Sequence, residues 1–352
     1  MKIQSTRTSE ASSHPYKPES SKQDTPLRIG ILGCGYIVQK AVASAVLQAK
    51  GVRLEAIASR VLSRAQRVAK QFQTRSIEGY AHLIEDPSVD VVYIALPNAQ
   101  HLEWILRALY AGKHVICEKP AVVNLKEAEE VIQVGQRKQV RFMEAYMFWF
   151  HPQHREVERL IREGVLGDVF HFEGFFGFPP LEHDNFRYSR SLGGGARNDL
   201  AGYPISAVRR FFREEPIAAT ATSYQPPGYE VDLRGTAQLE FASGKTAQIA
   251  YGFDNSYRNS YTLWGTKGIL TLGRAFTIPA DVSPSMTLTN SEGIQSISTT
   301  AANHFVTMIE EFCKVIQKPR ETQQNFEEEF LAQARVMSAL ASSVQKGQRV
   351  RI

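Results

Sequence analysis

Gly33-Cys34-Gly35-Tyr36-Ile37-Val38 stands between an apolar run and a stretch of helical period, with the spacing G-x-G-x-x-V. That spacing suits a phosphate. The first glycine permits a tight turn, the second lets the backbone approach a pyrophosphate, and the helix start offers unpaired N–H groups and a partial positive charge. Gly33, Cys34, Gly35, Tyr36 and Ile37 are therefore candidates for dinucleotide binding, with Val38 in the place of the usual third Gly or Ala. About 20 residues on, an NAD site carries Asp or Glu for the ribose diol. Here the chain has Ala58-Ser59-Arg60, and then Arg64. A hydroxyl and guanidinium groups bind a 2′-phosphate through charge-assisted hydrogen bonds that a carboxylate would oppose. Ser59, Arg60 and Arg64 thus favour NADP(H) over NAD(H); the alternative is that Ser59 caps the next helix and Arg60 is solvated.

Two more turns, Leu96-Pro97-Asn98 with His101 and Glu118-Lys119-Pro120, each follow a β-branched run. Open α/β sheets keep their ligands at such strand ends, so Leu96, Pro97, Asn98, His101, Glu118 and Lys119 are candidates for cofactor contact. The alternative for Lys119 is a surface lysine after an edge strand. Further on, Gly193-Gly194-Gly195-Ala196-Arg197-Asn198-Asp199-Leu200-Ala201-Gly202-Tyr203-Pro204 brings Asp199 and Tyr203 into one short segment. Pro204 disfavours a helical conformation at the residue before it, which predicts Tyr203 at a helix start. Spacing leaves open whether Asp199 and Tyr203 share a face, whether Asp199 is only a cap or turn former, and whether Tyr203 is only a core aromatic. Arg187 and Arg197 are candidates for a substrate diphosphate, or ordinary loop charges. His151 and His154 have no carboxylate or cysteine companions at metal-site spacing, so no metal is expected. The alternation of aromatic and small residues from Phe170 to Phe178 reads as a packed sheet face.

These residues need a frame. From Leu27, strand-like runs at Arg28–Leu32, Arg53–Ala58, Val89–Ala95 and His114–Cys117 alternate with helical periods near Val38–Ala49, Leu62–Phe72, His101–Ala111 and Leu125–Arg137. The alternation predicts a doubly wound parallel sheet over 27–145. The second unit, 146–352, opens with a helix near Pro152–Glu163. It continues through strand-like runs at Val169–Phe178, Ala218–Tyr224, Gly235–Phe241, Thr246–Phe253, Ser260–Trp264 and Gly268–Leu272, and ends in helices at His304–Ile316 and Phe326–Val344. Gly-rich connections such as Ala242-Ser243-Gly244-Lys245 predict hairpins and a mainly antiparallel sheet. Residues 1–26 hold too few apolar side chains to repay ordering and read as a disordered tail. Across 352 residues, 43% hydrophobic and 22% charged, no apolar stretch is long enough to cross a bilayer. Three scattered cysteines without a signal peptide point to a reducing, cytoplasmic setting. A net charge of +5 without a basic, aromatic-interleaved stripe argues against a nucleic-acid partner.

Taken in order, the Gly33–Gly35 loop, the Leu96-Pro97-Asn98 turn with His101, Glu118-Lys119-Pro120 and the Gly193–Pro204 segment resemble the Gfo/Idh/MocA oxidoreductases. The resemblance implies Lys119 at the substrate oxygen beside the nicotinamide, Glu118 in contact with the nicotinamide, and Asp199 with Tyr203 as the D-x-x-x-Y form of a catalytic pair. An ammonium there would polarise a carbonyl and a phenol would exchange the proton. Met143-Glu144-Ala145-Tyr146-Met147-Phe148-Trp149-Phe150-His151-Pro152, with Phe186-Arg187-Tyr188 and Gly193–Gly195, is most similar to the branch containing NDP-sugar C-3 ketoreductases. The expectation is NADP-dependent hydride transfer to or from a sugar-like carbonyl or alcohol, with reduction of a nucleotide-linked keto-sugar leading. An aldose 1-dehydrogenase or trans-dihydrodiol dehydrogenase is the alternative within the class, and a non-catalytic NADP-binding regulator the alternative outside it. Lys119 together with Tyr203 argues against the regulator. A homo-oligomer, dimer or tetramer, is implied by the resemblance and by an exposed sheet face in the second unit.

Overall fold

Runs such as Val91-Val92-Tyr93-Ile94 are apolar on both faces, the pattern of a parallel strand covered above and below. In the computed structural model, which describes residues 25–317 and 325–352, six parallel strands form one sheet. They are β1 (Leu27–Leu32), β2 (Val52–Ser59), β3 (Arg75–Glu78), β4 (Val91–Ile94), β5 (His114–Cys117) and β6 (Phe142–Glu144), in the order β3-β2-β1-β4-β5-β6. Helices α1 (Ala43–Gln48), α2 (Leu62–Gln71), α3 (Tyr80–Glu85), α4 (His101–Tyr110) and α5 (Leu125–Lys138) connect them. The order reverses between β1 and β4, the switch point at which doubly wound sheets bind ligands. The tail expected over 1–26 lies outside the described residues, apart from Thr25 and Pro26.

After α6 (Pro152–Arg162) the chain builds a nine-stranded sheet from β7 (Val169–Gly177), β8 (Pro216–Tyr224), β9 (Arg234–Phe241), β10 (Thr246–Gly252), β11 (Arg258–Gly265), β12 (Gly268–Leu272), β13 (Ser285–Asn290), β14 (Gly293–Ser298) and β15 (Val350–Arg351). It is mainly antiparallel, as expected, but β10 lies parallel to β7, with His171 opposite Thr246. The parallel pair arises because α7 (Gly202–Phe212) carries the chain from β7 to β8, after which two hairpin reversals return β10 in the direction of β7. In β7, Phe172 and Phe176 enter the core. The opposite face is not one apolar patch: Thr222 bonds Thr236 and Thr262 bonds Thr271, while Phe170, Trp264 and Ile269 form an exposed apolar cluster near one end.

Two helical starts differ from the pattern. The helix expected from Val38 opens as a π-turn over Val38–Val42, with Val38 fully buried where a third glycine would let the helix approach the strand closely. A second π-turn, Arg197–Ala201, runs into α7 with helical angles at Ala201 and Gly202. Tyr203 therefore lies within a continuous helical path rather than after an extended residue. The correction has a steric cause: the wider turn relieves the contact between the Pro204 ring and the carbonyl four residues back. Gly202 is also required, because a Cβ there would come 1.9 Å from the Tyr146 hydroxyl oxygen.

Helices α8 (His304–Gln317) and α9 (Phe326–Lys346) tie the units together, α8 against α1 and α9 against α5, β6 and β8. Among the described residues no helix is long and apolar enough to cross a membrane. At the start of α9, Glu327 accepts from Arg141 Nε at 2.6 Å and Nη2 at 2.7 Å, and Phe330 packs on Phe142 with centroids 4.6 Å apart. Arg141 is 8% exposed in this pair. Glu327→Ala should therefore destabilise the protein by about 3 kcal/mol in urea denaturation, because it leaves a buried guanidinium without its carboxylate. A loss below about 0.5 kcal/mol would class the pair with ordinary surface bridges.

Candidate active site

The glycine loop leaves β1 with Gly33 at φ +112°, its N–H donating to Ala58 O at 3.0 Å. A Cβ on Gly33 would stand 2.4 Å from Ala95 O, so only glycine fits. Around Gly35 the space is open: an added Cβ would meet no atom within 4 Å, which leaves the backbone accessible to a pyrophosphate. Tyr36 is 77% exposed beside it, and Cys34 and Ile37 are half-buried under the loop.

At the end of β2, Ser59 Oγ accepts from Val61 N–H at 3.3 Å. Val61, not Ser59, is the N-cap residue of α2, so the capping alternative for Ser59 is corrected; the helix starts too late for it. Arg64 and Arg67 act on the Cys34 thiol, whose pKa burial raises and their charges lower, and Arg60 acts likewise on the Tyr80 phenol. Three guanidinium groups therefore surround the β2 end of the glycine loop, a setting that fits a 2′-phosphate. Arg67 is the member that sequence reasoning missed; its signal was the i, i+3 spacing from Arg64.

Leu96 is nearly buried and Pro97 is extended before the turn. Asn98 Nδ2 donates to Gly193 O at 2.9 Å, and a Cβ on Gly193 would lie 2.8 Å from Ala99 N. The glycine-rich loop of the second unit is thereby docked on this turn. His101 does not face the cofactor side. Its ring is fully buried, with Nδ1 at 2.8 Å from Pro120 O and Nε2 at 2.8 Å from Leu96 O. The expectation of direct cofactor contact by His101 is corrected: the imidazole joins the Leu96 turn to the Lys119 turn.

Glu118 Oε1 accepts from the Tyr93 hydroxyl at 2.8 Å. Burial raises the Glu118 pKa against the opposing effects of Tyr93 and Lys119. Tyr93 was not singled out because a tyrosine inside Val91–Ile94 reads as an ordinary strand residue. Lys119, only 10% exposed, donates from Nζ to Asp199 Oδ1 at 2.6 Å and to Asp199 O at 2.8 Å. Its Nζ stands 5.0 Å from the Tyr203 ring centroid. Arg187 Nε donates to the other Asp199 oxygen at 2.7 Å. Asp199 and Tyr203 do share a site, with Asp199 as an acceptor between two cations rather than a helix cap. The Tyr203 hydroxyl approaches Met147 Sδ at 3.8 Å, its ring meets Phe176 edge-on at 4.9 Å, and burial keeps its pKa well above the ordinary value. Arg197 lines a small cavity with Pro120, Asn124, Glu144 and Met337, while Arg187 holds Asp199. His151 caps α6 by accepting from Gln153 N–H, and His154 bonds Tyr261 and Ala275 O, both inside the core.

Burial alone would raise the Asp199 pKa, but the charges and hydrogen bonds of Lys119 and Arg187 outweigh it and hold the group at about 2. A depressed folded-state pKa contributes stability above the ordinary value of 3.8, and that contribution is lost as pH falls toward about 2. Wild-type protein should therefore lose stability more steeply than Asp199→Asn between about pH 4 and pH 2, followed by melting temperature. Parallel curves would contradict the pairing.

Residues 27–146 match the model described as "Oxidoreductase family, NAD-binding Rossmann fold", and residues 154–271 match the Gfo/Idh/MocA C-terminal domain. The dTDP-3,4-didehydro-2,6-dideoxy-alpha-D-glucose 3-reductase of Saccharopolyspora spinosa is 37% identical over 73% of this chain and 77% of its own length. The enzyme of that name from Actinomadura kijaniata is 34% identical over 92% of this chain and 97% of its own. A crystal structure of a 3-ketoreductase from Actinomadura kijaniata, in complex with NADP and TDP-benzene, superposes with a TM-score of 0.87 at 33% identity, covering 91% of this chain and 98% of that one. Family models covering both units, and relatives matched over most of their length, place this chain in the Gfo/Idh/MocA family of oxidoreductases.

Proposed function

We propose that this protein is an NADP-dependent reductase of a nucleotide-linked keto-sugar. The observation that carries the reading is a nearly buried ammonium, Lys119, held between Asp199 and the Tyr203 ring at the carboxyl end of the parallel sheet. The names of the relatives supply the substrate class. NADP is supported by Arg60, Arg64 and Arg67 beside an open glycine loop and by the ligand of the related 3-ketoreductase.

Bound NADPH supplies the hydride at the carbonyl carbon. Lys119 polarises the carbonyl oxygen and holds the negative charge that develops on it; Asp199 keeps the ammonium aimed. The Tyr203 phenol, whose pKa burial keeps above the ordinary value, delivers the proton that turns the alkoxide into an alcohol. Glu118, fixed by Tyr93, takes the nicotinamide side, and Arg187 stands where it meets the substrate beside Asp199. In this reading residues 27–145 bind the dinucleotide and 146–352 supply the substrate wall and the surface for a homo-oligomer, whose contact is the open face of the nine-stranded sheet. Free Cys34, Cys117 and Cys313 support a reducing, cytoplasmic setting.

The test is kinetic. With a TDP-linked 3-keto-sugar and NADPH, Tyr203→Phe should lose about 10²–10⁴-fold in kcat, the range for a general acid. Lys119→Ala should lose kcat more than it raises KM, because its contact strengthens in the transition state. NADPH affinity should survive both changes. Full kcat in Tyr203→Phe would return that residue to a packing role, and efficient turnover of free xylose or a dihydrodiol by the wild type would favour the dehydrogenase alternative.

A further inference from the structure

Lys119 projects from a turn whose backbone is held at several points. Glu118 N–H donates to Ile94 O at 2.9 Å, and the His101 ring meets Pro120 O. The turn then folds back on the last residue of β6, where Ala121 N–H donates to Glu144 Oε1 at 2.9 Å. Glu144 pairs with Cys117 in the sheet, so one side chain closes the segment from Cys117 to Ala121 onto the neighbouring strand. Among the described residues this is the one hydrogen bond made to the Glu144 carboxylate.

Beyond this bond the residue borders open space. Glu144 lines a cavity of about 250 Å³ between α7, α9 and β6, and also lines the small cavity that holds Arg197. Burial pushes its pKa up to about 7, against the opposing effects of the Ala121 N–H, Lys119 and Arg209. A carboxyl group in such a place costs stability, and an apolar side chain would fill the cavities better. Its position is explained by the turn it holds.

We infer that Glu144 is a positioning residue for catalysis: by accepting from Ala121 N–H it fixes the turn that aims Lys119 at the reacting oxygen. The inference rests on the reading of Lys119 given above. Displacing an ammonium by about 1 Å is enough to cost a large factor in rate when its role is in the transition state. Loss of the acceptor should therefore lower kcat without loosening the dinucleotide.

Three variants separate acceptor from charge. Glu144→Gln keeps an oxygen for Ala121 N–H without the charge, Glu144→Asp keeps the charge but is too short to reach, and Glu144→Leu has neither. Kinetics with the TDP-linked keto-sugar would be read beside NADPH affinity and hydrogen exchange of the NADPH-bound protein over residues 118–123. Glu144→Gln should stay within about threefold of wild-type kcat; Glu144→Asp and Glu144→Leu should lose about 10- to 100-fold, with NADPH affinity retained and faster exchange at Ala121. The inference is overturned if Glu144→Asp keeps wild-type kcat and exchange, or if Glu144→Gln falls as far as Glu144→Leu. Should Glu144→Leu fail to fold, the Asp and Gln variants decide. If the wild type reduces no keto-sugar, the proposed substrate fails separately, and exchange at Ala121 still judges the role of Glu144.

Discussion

The ion pair between Lys119 and Asp199 is the contact on which the site depends, because it joins the end of the parallel sheet to the helical segment that carries Tyr203. Lys119 leaves the parallel sheet just after β5, and Asp199 sits in the π-turn that enters α7. Two nearly buried opposite charges at 2.6 Å are costly to desolvate and stable only with further hydrogen bonds. Those bonds are present: the Asp199 backbone oxygen also accepts from Lys119, and Arg187 takes the second carboxylate oxygen. The arrangement fixes a nearly buried ammonium beside the Tyr203 ring, the condition under which a fixed charge acts most strongly on a developing alkoxide.

Much of the remaining structure serves to keep that pair in register. On one side, His101 and Glu144 fix the turn carrying Lys119. On the other, a chain of polar groups running inward from the exposed Glu215 fixes the helix carrying Tyr203. Glu215 accepts from Arg209, Arg209 Nη1 donates to Gln333 Oε1 at 3.0 Å, and Gln333 Nε2 donates to Gly202 O at 2.9 Å. Gln333 belongs to α9, more than a hundred residues downstream of the helix it restrains. The C-terminal helix is thus part of the support of the site as well as of the core.

Periodicity and turn chemistry are enough to read the doubly wound sheet, the glycine loop and the Leu96 and Lys119 turns at its strand ends, because each is a local pattern of a few residues. The weak edges escaped. Arg75–Glu78 and Gly293–Ser298 are short and polar or exposed, so nothing in their residues outweighs a loop reading. The parallel pairing of β7 with β10 also lay beyond reach, since it depends on where α7 returns the chain. Within the site, residue types were legible and partners were not. The His101 ring is spent on the backbone carbonyls of Leu96 and Pro120, and Tyr93, Glu144 and Gln333 acquire meaning only from what they touch across the fold. Pro204 misled in the opposite direction: its local preference is real, but the π-turn before it removes the clash on which that preference rests.

The central claim is that Lys119, Asp199 and Tyr203 are assembled around a carbonyl that receives a hydride from NADPH. It is tested most directly by incubating the protein with NADPH deuterated at the transferable C4 position and a TDP-linked 3-keto-sugar, then locating the label by NMR. One deuterium per turnover is expected on the new carbinol carbon of the sugar, with a far slower reaction from the corresponding NADH. NADPH oxidation that leaves the sugar unlabelled, or no transfer to any nucleotide-linked keto-sugar while a free aldose reduces NADP, would contradict it.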